Sequence, residues 1–211
     1  MTEAPRRPPG RPQGSHIDAQ QRREELLDAA ERSLRSRGPE LSLVDVARES
    51  GLTRSALYGA FPDKEALVAA LAHRQAQRII TEVSGIVVST ADPREQTRAA
   101  VDCFCAWVEA EPAISAALGA SLSSAAVFDE LAGWLEGILT VAFDQLDGNR
   151  RAAGPWARAL LGAMSASVFW WQRDRTVERD ELVEHLTALI WSGFVGAGGQ
   201  RLRTLGTPGP S

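Results

Sequence analysis

Residues 41–67 read LSLVDVARESGLTRSALYGAFPDKEAL, and this stretch decides the fold. Leu43, Val46 and Ala47 fall at i, i+3 and i+4, the spacing of a helix that buries one stripe. Ser42 stands ahead of that run with Asp45 three residues on, a carboxylate variant of the capping box. Gly51 then admits a positive φ, which ends a helix and turns the chain sharply. Thr53 is placed to cap a second helix whose Ala56, Leu57 and Phe61 turn inward beside Leu52. Pro62 stops that helix, and Asp63 is placed to cap a third that opens at Lys64, Glu65, Ala66 and Leu67. Two short helices joined by a glycine-containing turn make a helix-turn-helix.

The rest of the composition sets bounds on what surrounds this motif. With 211 residues, 44% of them hydrophobic and 24% charged, the chain has the material for one or two globular domains with a real core. Residues 1–78 carry 13 Lys/Arg against 11 Asp/Glu, whereas the remainder carries 10 against 16. A phosphate-binding surface in the first part must therefore be local, and the acidic remainder is not built to lie along a duplex. Cys103 and Cys105 sit two apart on an expected helix and point to different faces, which disfavours a disulfide or chelate between them. They are expected as buried thiols in a reducing compartment. The N-terminus shows no secretory apolar segment, and the uncharged runs are too short and polar to span a bilayer. A soluble cytoplasmic protein is expected.

Residues 1–16 are rich in proline, glycine and arginine and read as a disordered basic arm. Arg6, Arg7 and Arg11 would follow phosphates or enter the minor groove, unless the segment is a plain terminus. A first helix is expected from Asp18 to Gly38-Pro39, with Leu26, Leu27, Ala29, Ala30 and Leu34 inward. Its charged residues, Arg22, Arg23 and Glu31 among them, are expected in solvent, with a phosphate contact by Arg22 or Arg23 as the alternative. A longer helix over residues 63–89 leaves the motif, carrying Leu67, Val68, Leu71, Ile79, Val83 and Ile86 on its apolar side. Further helices are expected over residues 93–111, 113–118 and 125–146, with a break over 119–126. Asp147, Gly148 and Asn149 form a turn, Pro155 opens another helix, and a last one runs over residues 177–195. No strand pattern is present, so the chain reads as all-α with about nine helices. The division is a helix-turn-helix domain over residues 17–63, a larger helical domain over 64–199 and a disordered tail over 200–211.

The run VARESGLTRSALYGAFPDKEAL resembles the DNA-binding signature of the TetR family of one-component bacterial regulators. Val46, Ala47, Gly51, Leu52, Leu57, Tyr58, Phe61, Lys64, Glu65 and Leu67 carry the resemblance, which extends over roughly residues 20–70. Beyond that stretch the likeness is one of length and helical layout. It implies that the second motif helix enters the major groove with its N-terminal end nearest the bases. Arg54, Ser55 and Ala56 would then face base edges. Arg54 suits the O6 and N7 of guanine, or a phosphate, and Ala56 would offer its methyl to thymine. Tyr58 and Lys64 occupy positions that hold phosphate in the family, and Ser42 and Thr53 either add contacts or only cap. This chain departs from the family at Gly59 and Ala60, where larger polar or aromatic residues are usual.

The resemblance also implies a homodimer formed by the last two long helices, with Trp170, Trp171, His185, Trp191 and Phe194 as interface candidates. It implies a ligand cavity between the fourth, fifth, seventh and eighth helices. Phe104, Trp107, Trp134, Phe143, Met164 and Phe169 are the candidate lining, suited to an apolar or aromatic effector. Asp102, Gln145 and Ser165 are candidates to orient it. The implied function is a repressor that binds a palindromic double-stranded DNA operator and is released by that small molecule. The alternatives are a helix-turn-helix protein-interaction module, or an activator without an effector. His16, His73 and His185 are widely spread, and no Gly-rich phosphate loop, H-E-x-x-H or G-x-S-x-G is present. Neither an enzyme, a cofactor, a metal site nor a membrane partner is expected.

Overall fold

The computed structural model describes residues 15–89, 92–122 and 125–196. Arg6, Arg7 and Arg11 of the basic arm and the tail over 200–211 lie outside the described residues. The described residues form nine α-helices and one 3-10 turn, with no strand. The helices are α1 (Ser15–Arg37), α2 (Leu43–Ser50), α3 (Arg54–Ala60), α4 (Lys64–Ser89), α5 (Pro93–Ala110), α6 (Pro112–Leu122), α7 (Ala125–Gln145), α8 (Ala153–Asp174) and α9 (Arg179–Gly196).

The punctuation of residues 41–67 acts largely as its chemistry dictates. Gly51 closes α2 at φ 69°, a left-handed conformation that costs glycine nothing. Thr53 Oγ1 accepts the Ala56 N–H at 3.2 Å, and Asp63 Oδ1 accepts the Ala66 N–H at 2.7 Å. The capping box at α2 does not form. Ser42 is extended but its side chain caps nothing, and the Asp45 carboxylate, instead of reaching back, pairs with the guanidinium groups of Arg37 and Arg48.

Two hydrophobic cores result. The first gathers Leu26, Leu34, Val46, Leu57, Phe61 and Leu67 around the motif, closed from the later chain by Ile114 and Leu118 of α6. The second gathers Val101, Ile138, Leu139, Val168 and Val183 from α5, α7, α8 and α9. Helix α4 belongs to both. Its Leu67, Leu71, Ala72 and Ala76 lie in the first core, and Ile79, Val83 and Val87 in the second.

Several expectations are corrected by packing. α1 begins at Ser15, three residues ahead of the expected Asp18. Its Glu31 is buried at 4% exposure rather than solvated. The carboxylate is held by Arg35 at 3.1 Å, Arg78 at 2.9 Å, Arg74, and the Gln75 side-chain amide at 2.7 Å. Burying that charge is tolerable because it is paired and hydrogen-bonded. Arg23 is likewise occupied: its guanidinium lies 4.3 Å from the Phe61 ring centre and donates to the Ala60 carbonyl at 3.0 Å. It thereby satisfies a carbonyl left open at the end of α3.

Later in the chain, α6 runs on to Leu122, into the stretch read as a break. Helix α8 starts at Ala153 behind a 3-10 turn (Arg150–Ala152), which leaves Pro155 in its first turn. α9 starts at Arg179 rather than at Val177, whose carbonyl accepts the Trp171 indole N–H at 2.7 Å. Cys105 is fully buried and Cys103 half-buried with its thiol on the Glu82 carboxylate. Burial pushes both thiols up to about 12, so at neutral pH they stay protonated and unreactive.

Candidate functional site

Helix α3 has seven residues and is clamped from one side only. Leu57 and Phe61 are buried, while Arg54 and Tyr58, one turn apart, face out, with Tyr58 54% exposed. Ser55 and Lys64 are also exposed, and Ala56 is half-buried. The charges around them are spent: Arg32 pairs with Glu49, and Arg37 and Arg48 with Asp45. Arg54, Tyr58 and Lys64 have no such partner among the described residues. The result is two uncommitted cations and a phenol exposed on α3 and at the first residue of α4. Thr53 is already used as the α3 cap, whereas the Ser42 hydroxyl caps nothing. Gly59 is exposed, and an added Cβ there would meet nothing within 4 Å.

The second core is hollow. A cavity of about 160 Å³ lies between α4, α5, α7, α8 and α9. Phe104, Trp134 and Met164 line it, as does Ser165. Trp107, Phe143 and Phe169, read as lining from sequence, are placed elsewhere. Trp107 and Phe169 sit at the seam where the two cores meet. Phe143 packs edge-on against Trp156, ring centres 5.2 Å apart. Asp102 is paired with Arg179 at 3.1 Å, and Gln145 is exposed.

The wall from α4 (Ile79, Val83 and Val87), the polar pair Gln96 and Thr97 of α5, and Ile190 and Phe194 of α9 were missed by sequence reasoning. Gln96 is fully buried in the first turn of α5, a placement its sequence position does not signal. Its amide donates to the Val87 carbonyl at 2.8 Å, and Thr97 donates to the Pro93 carbonyl at 2.9 Å.

A chain of contacts joins cavity to motif. Phe104 stacks on Trp107 with ring centres 5.7 Å apart. The Trp107 indole N–H donates to Gln75 Oε1 at 3.3 Å, and the Gln75 amide donates to Glu31 on α1. The cavity wall is thus tied to the helix that backs α3.

On the outer side of α8 and α9, Trp170 is 40% and Leu189 62% exposed, and His185 faces out beside Glu181. Trp191 is half-buried. Trp171 and Phe194 point inward instead. Trp171 is buried beneath the Arg175 guanidinium, 3.9 Å from its ring centre, and Phe194 packs on Trp156 and lines the cavity. Both are satisfied within the protomer and leave nothing for a partner to cover. No group of metal-ligating residues occurs among the described residues, and no described helix is long and apolar enough to cross a membrane.

Comparison with known proteins bears on the same two regions. Residues 26–71 match the family model of bacterial regulatory proteins, tetR family, and residues 83–205 match the tetracyclin repressor-like C-terminal domain. The chain is 29% identical to the uncharacterized HTH-type transcriptional regulator Rv0472c of Mycobacterium tuberculosis, covering 96% of this chain and 91% of that one. It is 25% identical to the HTH-type transcriptional activator FasR of Mycolicibacterium smegmatis, covering 88% of each. Its fold is similar to that of FadR from Bacillus subtilis, solved in complex with stearoyl-CoA. That likeness has a TM-score of 0.64 at 16% identity, over 81% of this chain and 98% of that one.

Proposed function

Since this chain belongs to the TetR family of DNA-binding transcriptional regulators, we propose that it acts as a homodimeric repressor released from a palindromic operator by a small effector. Residues 17–63 form the reading unit in this proposal, and residues 64–199 the effector and dimerisation unit. The observation that carries it is α4, one helix with its first half in the motif's core and its second half in the cavity wall.

In the operator-bound state, Arg54, Ser55 and Ala56 face base edges in the major groove while Tyr58, Lys64 and Ser42 hold phosphates. One short helix reads few base pairs, so two copies on a symmetric site are needed for useful specificity. Exposed Trp170, Leu189 and His185 on α8 and α9 are the surface that a second copy would cover. An apolar or aromatic effector presses on Ile79, Val83 and Val87, and favours a conformer in which the two heads no longer match successive grooves. It acts only through its difference in affinity between the two states.

FadR holds stearoyl-CoA, but a cavity of about 160 Å³ is closer to benzene scale. We therefore assign a smaller effector here. A second reading, activation, has FasR behind it, since that relative is named an activator.

Anisotropy titration of labelled duplexes from the region upstream of the gene tests the core of this proposal. Salt-sensitive binding of two protomers per site is expected. A protein that ignores every duplex offered at low salt would overturn it. Transcription from that region with and without the protein separates repression from activation.

A further inference from the structure

We propose that Ser165 sets the chemistry the cavity accepts: a neutral, largely apolar molecule whose single oxygen function meets the Ser165 hydroxyl. This rests on the cavity being the effector site. A serine or threonine inside a helix commonly folds its hydroxyl back onto the carbonyl one turn earlier. Thr81, Thr97, Thr140 and Ser192 do so here, onto the carbonyls of Gln77, Pro93, Glu136 and Ala188 at 2.7–2.9 Å. Ser165 of α8 lines the cavity and makes no side-chain hydrogen bond among the described residues. Nor is its oxygen sealed in. The buried side-chain atoms with neither accessible surface nor a partner are Arg74 Nε, Trp134 Nε1 and Thr187 Oγ1. Half-buried Ser165 thus keeps a reachable hydroxyl, with a hydrogen to give and lone pairs to receive one.

The other polar groups of the wall do not compete for that role. The Gln96 amide donates to the Val87 carbonyl and the Thr97 hydroxyl to the Pro93 carbonyl. Trp134 also lines the cavity, but its indole nitrogen is out of an occupant's reach. No Asp, Glu, Lys, Arg or His lines the cavity, so a carboxylate or ammonium drawn inside would lose its hydration without an ionic partner. Ser165 is also the last lining residue along α8, one turn before Phe169 at the seam between the cores. The occupant's oxygen is therefore held at the seam end of the α8 wall, with hydrocarbon around the rest. The volume of about 160 Å³ suits a single ring or a short chain. A small ketone, ester or alcohol meets these conditions.

Four probes of nearly equal shape separate them: acetophenone, 1-phenylethanol, ethylbenzene and benzoate. Each is titrated calorimetrically into the full chain and into Ser165→Ala. That substitution removes no bond within the protein and puts a better helix former on α8, so the variant should fold as the wild type does. On the wild type, acetophenone and 1-phenylethanol should each bind about fivefold tighter than ethylbenzene, the worth of one hydrogen bond. Benzoate should bind at least about tenfold weaker than acetophenone. In S165A the preference for the two oxygenated probes should fall to parity or reverse, with ethylbenzene changed by no more than about twofold.

Equal wild-type affinities for acetophenone and ethylbenzene, or a preference that survives in S165A, would overturn the role of Ser165. The first comparison needs no variant. Benzoate binding as tightly as acetophenone would overturn neutrality. Failure of all four probes on the wild type would overturn the cavity as effector site, a different failure from that of its polarity.

Discussion

The two cores of this molecule are packed in opposite ways. The first is solid: Leu26, Leu34, Leu57, Phe61, Leu67 and Leu71 are at most 1% exposed, and the side chains proposed to contact DNA, Arg54, Ser55, Tyr58 and Lys64, lie outside it. The second surrounds a cavity, and the surface proposed to meet an effector lies inside, on the residues that line it. A reading surface must hold side chains at fixed positions, which close packing behind it secures. A sensing site must admit something, so its packing is left incomplete and its empty state forgoes the contacts an occupant would restore. Helix α4 carries both kinds of packing on one rod, at Leu67 and Leu71 in one half and at Ile79 and Val83 in the other.

The sharpest way to break the comparison is to truncate one residue in each core. Phe61→Ala should destabilise by about 3–5 kcal/mol, because a filled site cannot collapse around the lost ring. Met164→Ala, half-buried beside an existing void, should cost less than about 2 kcal/mol. Equal costs by urea unfolding would show that the cores do not differ as described.

Next in size is Arg54→Ala, expected to relax base preference at one position by about 1–3 kcal/mol in a randomised-site selection. Lys64→Ala should instead weaken all sequences alike and reduce the salt slope by about 1. If base preference survives the loss of Arg54, α3 is not read through that side chain.

Trp107→Phe keeps the stack on Phe104 but removes the hydrogen bond to Gln75. It should lower the coupling between effector and operator by about 0.5–2 kcal/mol while leaving each separate affinity near the wild-type value. Unchanged coupling would break the seam as a route between the cores. The smallest effect is a gain. Gly59→Ala meets no neighbour and replaces a poor helix former, so thermal unfolding should report about 1 kcal/mol of added stability. A loss there would mean that α3 needs its glycine.

What was legible in the sequence follows a pattern. Gly51, Thr53, Pro62 and Asp63 announced their roles because a turn, a cap and a stop are decided within four residues of the chain. Even there, Asp45 misled: its carboxylate went to Arg37 and Arg48 rather than back to the start of α2. Glu31 looked like one more solvated carboxylate, since Arg74, Gln75 and Arg78 meet it from more than forty residues away.

The aromatic residues show where the limit falls. Trp107, Trp134 and Trp171 each sit on an apolar helical stripe, yet one lies at a seam, one lines a cavity and one is sealed inside the protomer. By itself, then, the amino-acid order determined an all-α chain, the helix-turn-helix and the side chains displayed on it, because those depend on spacing along one helix and on caps and turns. Tertiary structure alone decided which wall each indole faces, which donor is left unpaired and where the void opens, because five helices must close on one another before any of these exists.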